Sequence, residues 1–267
     1  MASSAAWQKI FSEYKIQDHD FKTKPFYLSA SQIKLATQSF NNVAEREVRI
    51  LCKQDKRSDR PKVLSDNDLF ILPVRNGHYA LVKGEGYLDI PEIISEPIIY
   101  DSKLDFHLDT AVIGNSEMQH LDMAYASSII RTFMDDPSLV LTIRGRKYTP
   151  EFNFTVGEQL VNVSSVQTEV DAGYEGREKV VLVEAKSSGS HDTIIRQLYY
   201  PFKQWQLSTK KKVYTLFFER DLKDDTYKIW QFSFSDENDY NSIKLTKSAR
   251  YKLAHKTFTE KQSIGSV

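Results

Sequence analysis

The residues best suited to chemistry lie within residues 166–186, VQTEVDAGYEGREKVVLVEAK. Asp171 stands thirteen residues before Glu184-Ala185-Lys186, and a turn-forming GREK with Gly176 separates two β-branched, alternating runs. With the turn centred on Arg177 and Glu178, Asp171 falls directly opposite Glu184. Directly paired residues of an antiparallel hairpin share a face, with Cβ atoms about 4.5–5.5 Å apart. Side chains alternate along a strand, so Glu184 and Lys186 share a face with Glu169 and Asp171, while Val181 and Val183 form the opposite, core face. Two carboxylates this close repel each other unless a cation sits between them, and Mg²⁺ prefers such oxygen ligands. A lysine beside them completes a set able to activate water against a phosphodiester. Gly173 is a candidate bulge that would shift this register. The plain alternative is a surface hairpin with scattered charges, because Glu-x-Lys alone is a common triplet.

The elements around this hairpin alternate in type. AAWQKIFSEYKI reads as a helix, and LSASQIKLATQSF as a second one with Ser29 or Ser31 as N-cap and Ile33, Leu35 and Phe40 as apolar positions. VAEREVRILCKQD reads as a further helix with Val43, Val48, Ile50 and Leu51 inward, and Asn76-Gly77 marks a hairpin between DLFILPVR and HYALVKGEGY. Helices followed by a hairpin are the order of a winged helix, and the last helix with the loop after it is basic, with Arg46, Arg49, Lys53, Lys56, Arg57, Arg60 and Lys62. Residues 84–110 are acidic and carry Pro91 and Pro97, which suits a connector with at most an edge strand. NSEMQHLDMAYASSIIRTF is a helix capped by Asn115 or Ser116, with Met118, Leu121, Tyr125 and Ile129 on one stripe. Strands are expected in SLVLTIRG, TPEFNFTV, VSSVQTEVDAG and VVLVEAKS, a helix interrupted or ended by Pro201 in HDTIIRQLYYPFKQWQLS, then strands in KKVYTLFFER and YKIWQFSF.

Composition sets the outer bounds. The chain has 267 residues, 15 Phe and 14 Tyr, ample for a core, and a net charge of zero. No apolar run approaches the length needed to cross a bilayer, and the amino-terminal twenty residues lack the apolar region of a signal peptide, so a cytoplasmic protein is expected. Cys52 is the single cysteine, and the six His show no HxH or HxxxH spacing, so His120 and His191 are not expected to bind metal. Zero net charge hides polarity. Residues 84–125 hold nine acids and one base, residues 189–220 six bases and two acids, and residues 241–267 six bases and one acid. A neutral but polarised protein can present a basic cleft to phosphates.

GNSEMQHLDMAYASSIIRTF, LTIRGRKYTPEF, VQTEVDAGYEG, VLVEAK and IRQLYYPFKQW together resemble prokaryotic type II restriction endonuclease-like proteins of the PD-(D/E)xK superfamily. The resemblance covers residues 105–235 well and extends more loosely to REVRILCKQD, DLFILPV and VKGEGYLDIP. By motif, Asp171 matches the first acid, Glu184 the second and Lys186 the lysine, although Val170 rather than Pro precedes Asp171. The resemblance implies Mg²⁺ held by Asp171, Glu184 and the Ala185 carbonyl, with Lys186 orienting water or stabilising developing charge. It implies an auxiliary acid on the first helix of the core, for which Glu117 stands in place. Glu169 could support the metal, and Gln197 and Arg196 could reach a phosphate or the attacking water. Arg144, Arg146 and Lys147, in an acid-free stretch, suit phosphate contacts or guanine readout, and Arg57 and Arg60 suit contacts from the amino-terminal region. Tyr199 and Tyr200 read as core residues.

These readings predict an α/β (α+β) chain. A winged-helix-like region and connector would span residues 1–105, and a PD-(D/E)xK core with a mixed central sheet flanked by helices would span 106–267, ending in a basic segment. The expected activity is that of a type II restriction endonuclease making Mg²⁺-dependent, site-specific cuts in double-stranded DNA. It would act as a homodimer if the site is palindromic, with a cognate DNA methyltransferase in the same system. The alternatives are a structure- or modification-specific nuclease of the same fold, or a non-catalytic winged-helix DNA-binding regulator. Membrane partners are not expected.

Overall fold

The computed structural model describes residues 3–106, 108–187 and 189–254, so the end of the basic carboxy-terminal segment lies outside the described residues. The fold is mixed α+β: a seven-stranded mixed sheet with helices against it, and a three-stranded unit at the amino-terminal side.

In the amino-terminal unit, α1 (Ser3–Glu13) buries Trp7, Ile10 and Phe11. After β1 (Phe26–Ser29), α2 (Ala30–Thr37) begins at Ser29, whose hydroxyl accepts from the Gln32 N–H while the Gln32 side chain accepts from the Ser29 N–H. Ile33 and Ala36 face the core, but Leu35 is exposed. The stretch expected to form one helix from Val43 onward is two short ones, α3 (Val43–Arg46) and α4 (Val48–Leu51), parted by Glu47 in an extended conformation. Leu51 is buried and Val48 partly so, whereas Val43 and Ile50 point to water. Helical stability comes mostly from packing an apolar face, and α3 has no fully buried residue. Helix α5 (Lys62–Ser65) leads into β2 (Leu69–Arg75) and β3 (His78–Lys83), joined by a turn that uses Gly77 at φ 69°. The strand order is β1-β3-β2, antiparallel throughout.

The connector holds β4 (Tyr87–Asp89) and β5 (Ile98–Tyr100), the latter an edge strand as its prolines suggest. The helix expected over 115–133 is α6 (Glu117–Ala126), capped by Ser116, and α7 (Ile129–Phe133), broken where Ser128 takes φ 71°. Then come β6 (Val140–Tyr148), the hairpin β7 (Phe152–Val156) and β8 (Gln159–Val163), β9 (Gln167–Glu175), β10 (Lys179–Ser187) and the short β11 (Asp192–Ile194). Helix α8 (Arg196–Gln206) is followed by β12 (Lys212–Asp221), β13 (Thr226–Phe234) and β14 (Ile243–Leu253). The large sheet runs β5-β14-β13-β12-β10-β9-β6. Its strands are antiparallel except for β10 with β12 and β14 with β5. Parallel neighbours need a crossover, and β11 with α8 provides it between β10 and β12.

Two expectations change here. The start of the segment at His191 pairs as β11 with β4 instead of forming helix. Pro201 neither ends nor interrupts α8, which runs on to Gln206. A proline inside a helix removes one donor and costs about 3 kcal/mol. Burial of Tyr199, Tyr200 and Phe202 on both sides of it offsets that cost.

Strand β10 is covered on both faces. Val181, Val183 and Ala185 pack with Leu121, Ile130 and Phe133 of α6 and α7, as the expected core face. Val180 and Leu182 are also buried, against Phe202 of α8, so the second face is not open except at its carboxy-terminal end. Gly173 introduces no bulge between β9 and β10. The register shifts lie between β6 and β9, at Leu141/Ile143 and Ile143/Gly145. Gly173 serves a close approach instead: a Cβ there would meet the Ile143 Cβ at 2.6 Å. Gly173→Ala should therefore lower stability by about 1–3 kcal/mol, read as a lower urea midpoint at unchanged slope. In an Ile143→Gly background, which removes the opposing Cβ, the same substitution should cost less, and an unaltered midpoint in the single variant would show that β6 yields freely.

Candidate active site

The register of the β9–β10 hairpin places the candidate carboxylates. Pairs run from Val180↔Glu175 to Val183↔Ala172, with the turn at Arg177 and Glu178. One further step in that register sets Glu184 across from Asp171. There the Asp171 side chain meets the neighbouring strand, its Oδ2 accepting from the Ala185 N–H at 2.7 Å. Because N–H and C=O of one strand residue point to the same side, the Ala185 carbonyl also faces the Asp171 side of β10. Lys186 Nζ donates to Glu184 Oε1.

Asp171, Glu184 and Lys186 line an open cleft of about 620 Å³. Glu169 lies on the same wall and accepts from Arg146 Nε at 3.2 Å, so β9 and the edge strand β6 carry an ion pair at the rim. Glu117, at the first turn of α6, also lines the cleft. Its Oε1 accepts from the Ser187 N–H at 2.6 Å and the Ser187 hydroxyl at 2.9 Å, tying α6 to the end of β10. From α8 come Arg196 and Gln197, the latter with its Oε1 held by the Thr193 hydroxyl at 2.7 Å, which leaves the amide nitrogen as a donor. Tyr199 and Tyr200 are buried core residues.

Four of the expected cations sit elsewhere. Arg144 pairs with Asp122 of α6 outside the cleft lining. Lys147 lies 6.0 Å from the ring centre of Trp205. Arg57 is held by Asp89, Asp192 and Glu85, and Arg60 lies over the Tyr87 ring, so both serve contacts within the protein. The amino-terminal residues that do reach the cleft are Arg49, Lys53 and Asp55. The basic run after α2 was the signal that could have found Arg49 and Lys53, but their heading depends on the break at Glu47. Asp55 carried no signal.

Electrostatics follow from burial. Glu184 is 8% exposed, and burial, reinforced by the Asp171 charge, pushes its carboxyl up to about 7 despite Lys186 and Arg196. Burial also raises Asp171, with the Glu117 and Glu169 charges adding to it against the Ala185 hydrogen bond and Lys186. Burial works against the Lys186 cation, but Glu184 and Asp171 outweigh it and the ammonium is held above its ordinary range. Two carboxylates that both resist ionisation, Glu184 buried and Asp171 half-buried, beside a backbone carbonyl, are a donor set for a hard, oxygen-preferring cation. Among the described residues no three His, Cys, Asp or Glu side chains converge as a closed cage would require. Mg²⁺ needs no such cage, since it keeps waters and substrate oxygens in its shell.

Residues 82–252 match the family described as Domain of unknown function (DUF6997). The chain belongs to this family. Residues 4–81 match a second, Domain of unknown function (DUF6996), so the site's carboxylates and Lys186 fall in the DUF6997 segment and Arg49, Lys53 and Asp55 in the other. No curated protein and no solved structure matches the chain. No helix among the described residues is long and apolar enough to cross a membrane.

The raised Glu184 carboxyl has a consequence for stability. Folded, it holds its proton up to about pH 7, whereas the unfolded group releases it near its ordinary value of 4.5. Between these values the native state binds more protons, so its contribution is full below pH 4.5 and is lost as pH rises toward 7. In metal-free protein this contribution should be on the order of 3 kcal/mol. Melting temperature across that pH window should fall more steeply in the wild type than in Glu184→Gln. Equal slopes would show that Glu184 is ionised throughout.

Proposed function

We propose that this chain is a Mg²⁺-dependent DNA endonuclease of the PD-(D/E)xK kind, acting as a type II restriction enzyme. The observation that carries the reading is the hairpin register: Asp171 is set against Glu184-Ala185-Lys186 at the wall of an open cleft. The mixed sheet in which α8 connects parallel β10 and β12 directly after this motif agrees with it. The amino-terminal unit, with one helix before β1, helices between β1 and β2, and strand order β1-β3-β2, supports a winged-helix reading.

Asp171, Glu184 and the Ala185 carbonyl would hold the cation, which supplies Lewis acidity toward the phosphate and lowers the pKa of water. The Ala185 N–H fixes one Asp171 oxygen and leaves the other for the cation. Lys186 stays protonated, which suits it to orient water and stabilise developing negative charge better than to act as a base. Glu117 holds Ser187 and with it the end of β10, keeping Lys186 in register with Glu184. The Gln197 amide and Arg196 offer donors to phosphate oxygens. A palindromic site would call for a two-fold dimer.

Incubation of unmethylated phage DNA with the protein and Mg²⁺ should give discrete fragments. Asp171→Ala and Lys186→Ala should each reduce the rate on the order of 10²-fold or more, with DNA binding retained. A Mg²⁺-dependent smear would remove site specificity from the reading. No cleavage of methylated, unmethylated or branched DNA would overturn it in favour of a DNA-binding regulator.

A further inference from the structure

The cleft is built from both matched segments, and its charge balance points to a task for the amino-terminal one. Five carboxylates line it (Asp55, Glu117, Glu169, Asp171, Glu184), and five cations (Arg49, Lys53, Arg146, Lys186, Arg196). A nucleic acid backbone brought to so many carboxylates needs cations not already spent on them. Arg146 is paired with Glu169, Lys186 with Glu184, and Arg196 with Asp55 at 3.3 Å. Arg49 is exposed and has no hydrogen-bond or ion-pair partner among the described residues. Lys53 lies 3.8 Å from Asp55 without a hydrogen bond, unlike Arg146 with Glu169 at 3.2 Å, and 74% of its side chain is exposed.

The segment carrying these cations is fixed to the part of the site that follows the Glu-x-Lys strand. Ile194 N–H donates to the Asp55 carbonyl at 2.8 Å, Arg57 N–H to Asp192 at 2.9 Å, and the Tyr87 hydroxyl to the Gln54 carbonyl at 3.2 Å. Ile194 and Asp192 belong to β11, directly before Arg196 and Gln197. The wall bearing Arg49 and Lys53 is thereby registered to the wall bearing Arg196. The same strap consumes Arg57, which explains why two cations of one basic run face the cleft while a third does not.

We propose that Arg49 and Lys53 bind backbone phosphates of the same nucleic acid strand on which Asp171, Glu184 and Lys186 act, so that the site is composite and the amino-terminal unit is part of its substrate-binding wall. Asp55 is the positioning residue that holds Arg196 against this wall. The inference rests on the nuclease reading, and one experiment separates the two.

Binding of a short fluorescent DNA duplex is measured over a salt series with a chelator present, for the full chain, for Arg49→Ala/Lys53→Ala, and for a charge-matched surface control, Lys223→Ala/Lys244→Ala. Every cation removed from a phosphate should reduce the slope of log affinity against log salt by about 0.9. The Arg49/Lys53 variant should therefore show a slope smaller by about 1.8 and bind about tenfold more weakly at low salt, with the control unchanged. Arg49→Lys/Lys53→Arg should keep the wild-type slope, which a merely structural role for these exposed side chains does not predict. With Mg²⁺, the double alanine variant should raise KM and leave kcat within about threefold. If its slope and KM equal those of the control while the wild type binds and cuts DNA, the composite wall is wrong and the nuclease reading stands. If the wild type neither binds nor cuts DNA, the nuclease reading fails and carries this inference with it.

Discussion

One hydrogen bond organises the site: Asp171 Oδ2 to the Ala185 N–H. Up to Val183↔Ala172 the two strands are joined by backbone. Beyond that point a side chain takes over, and a carboxylate is drawn into a place where the ladder would otherwise continue. The second carboxylate, Glu184, is forced inward by the same strand, because the alternation that buries Val180 and Leu182 under α8 carries Glu184 to that side. The acidic pair is thus a product of sheet geometry, and its resistance to ionisation is the electrostatic cost that a bound cation would relieve.

The rest of the architecture keeps that junction in place. Helix α6 reaches the end of β10 through Glu117, and β12 runs parallel to β10 along its full length. The parallel pairing forces a crossover, and the crossover returns as α8, whose first residues lie at the cleft. The small β4–β11 pair then fastens the amino-terminal unit to the start of that helix. Local order at the site follows from contacts far apart in sequence, such as Arg57 with Asp192.

Much of this was readable in the chain. The turn at Arg177 and Glu178, the strands on either side, the Ser116 cap and the burial of Tyr199 and Tyr200 all rest on local patterns, which survive into the structure. What was not readable depends on partners. β14 carries Lys and Arg at positions that mask strand alternation, and it forms because β13 and β5 flank it. The break at Glu47 follows a helix with no fully buried residue, which no window of sequence displays. Arg144, Lys147, Arg57 and Arg60 stand outside the cleft lining, beside carboxylates or rings, and that placement is a tertiary fact. Whether Pro201 would end its helix was likewise settled by the aromatic packing around it.

The joint between the two family segments falls at residues 81 and 82, inside β3, and β3 is the middle strand of its sheet. A break at that boundary would leave every β1–β3 pair on the amino-terminal side and remove only two β2–β3 pairs, Phe70↔Val82 and Leu69↔Lys83. What the two segments share is the cleft, since Arg49, Lys53 and Asp55 come from one and the carboxylates of β9 and β10 from the other, and neither segment alone supplies the whole lining.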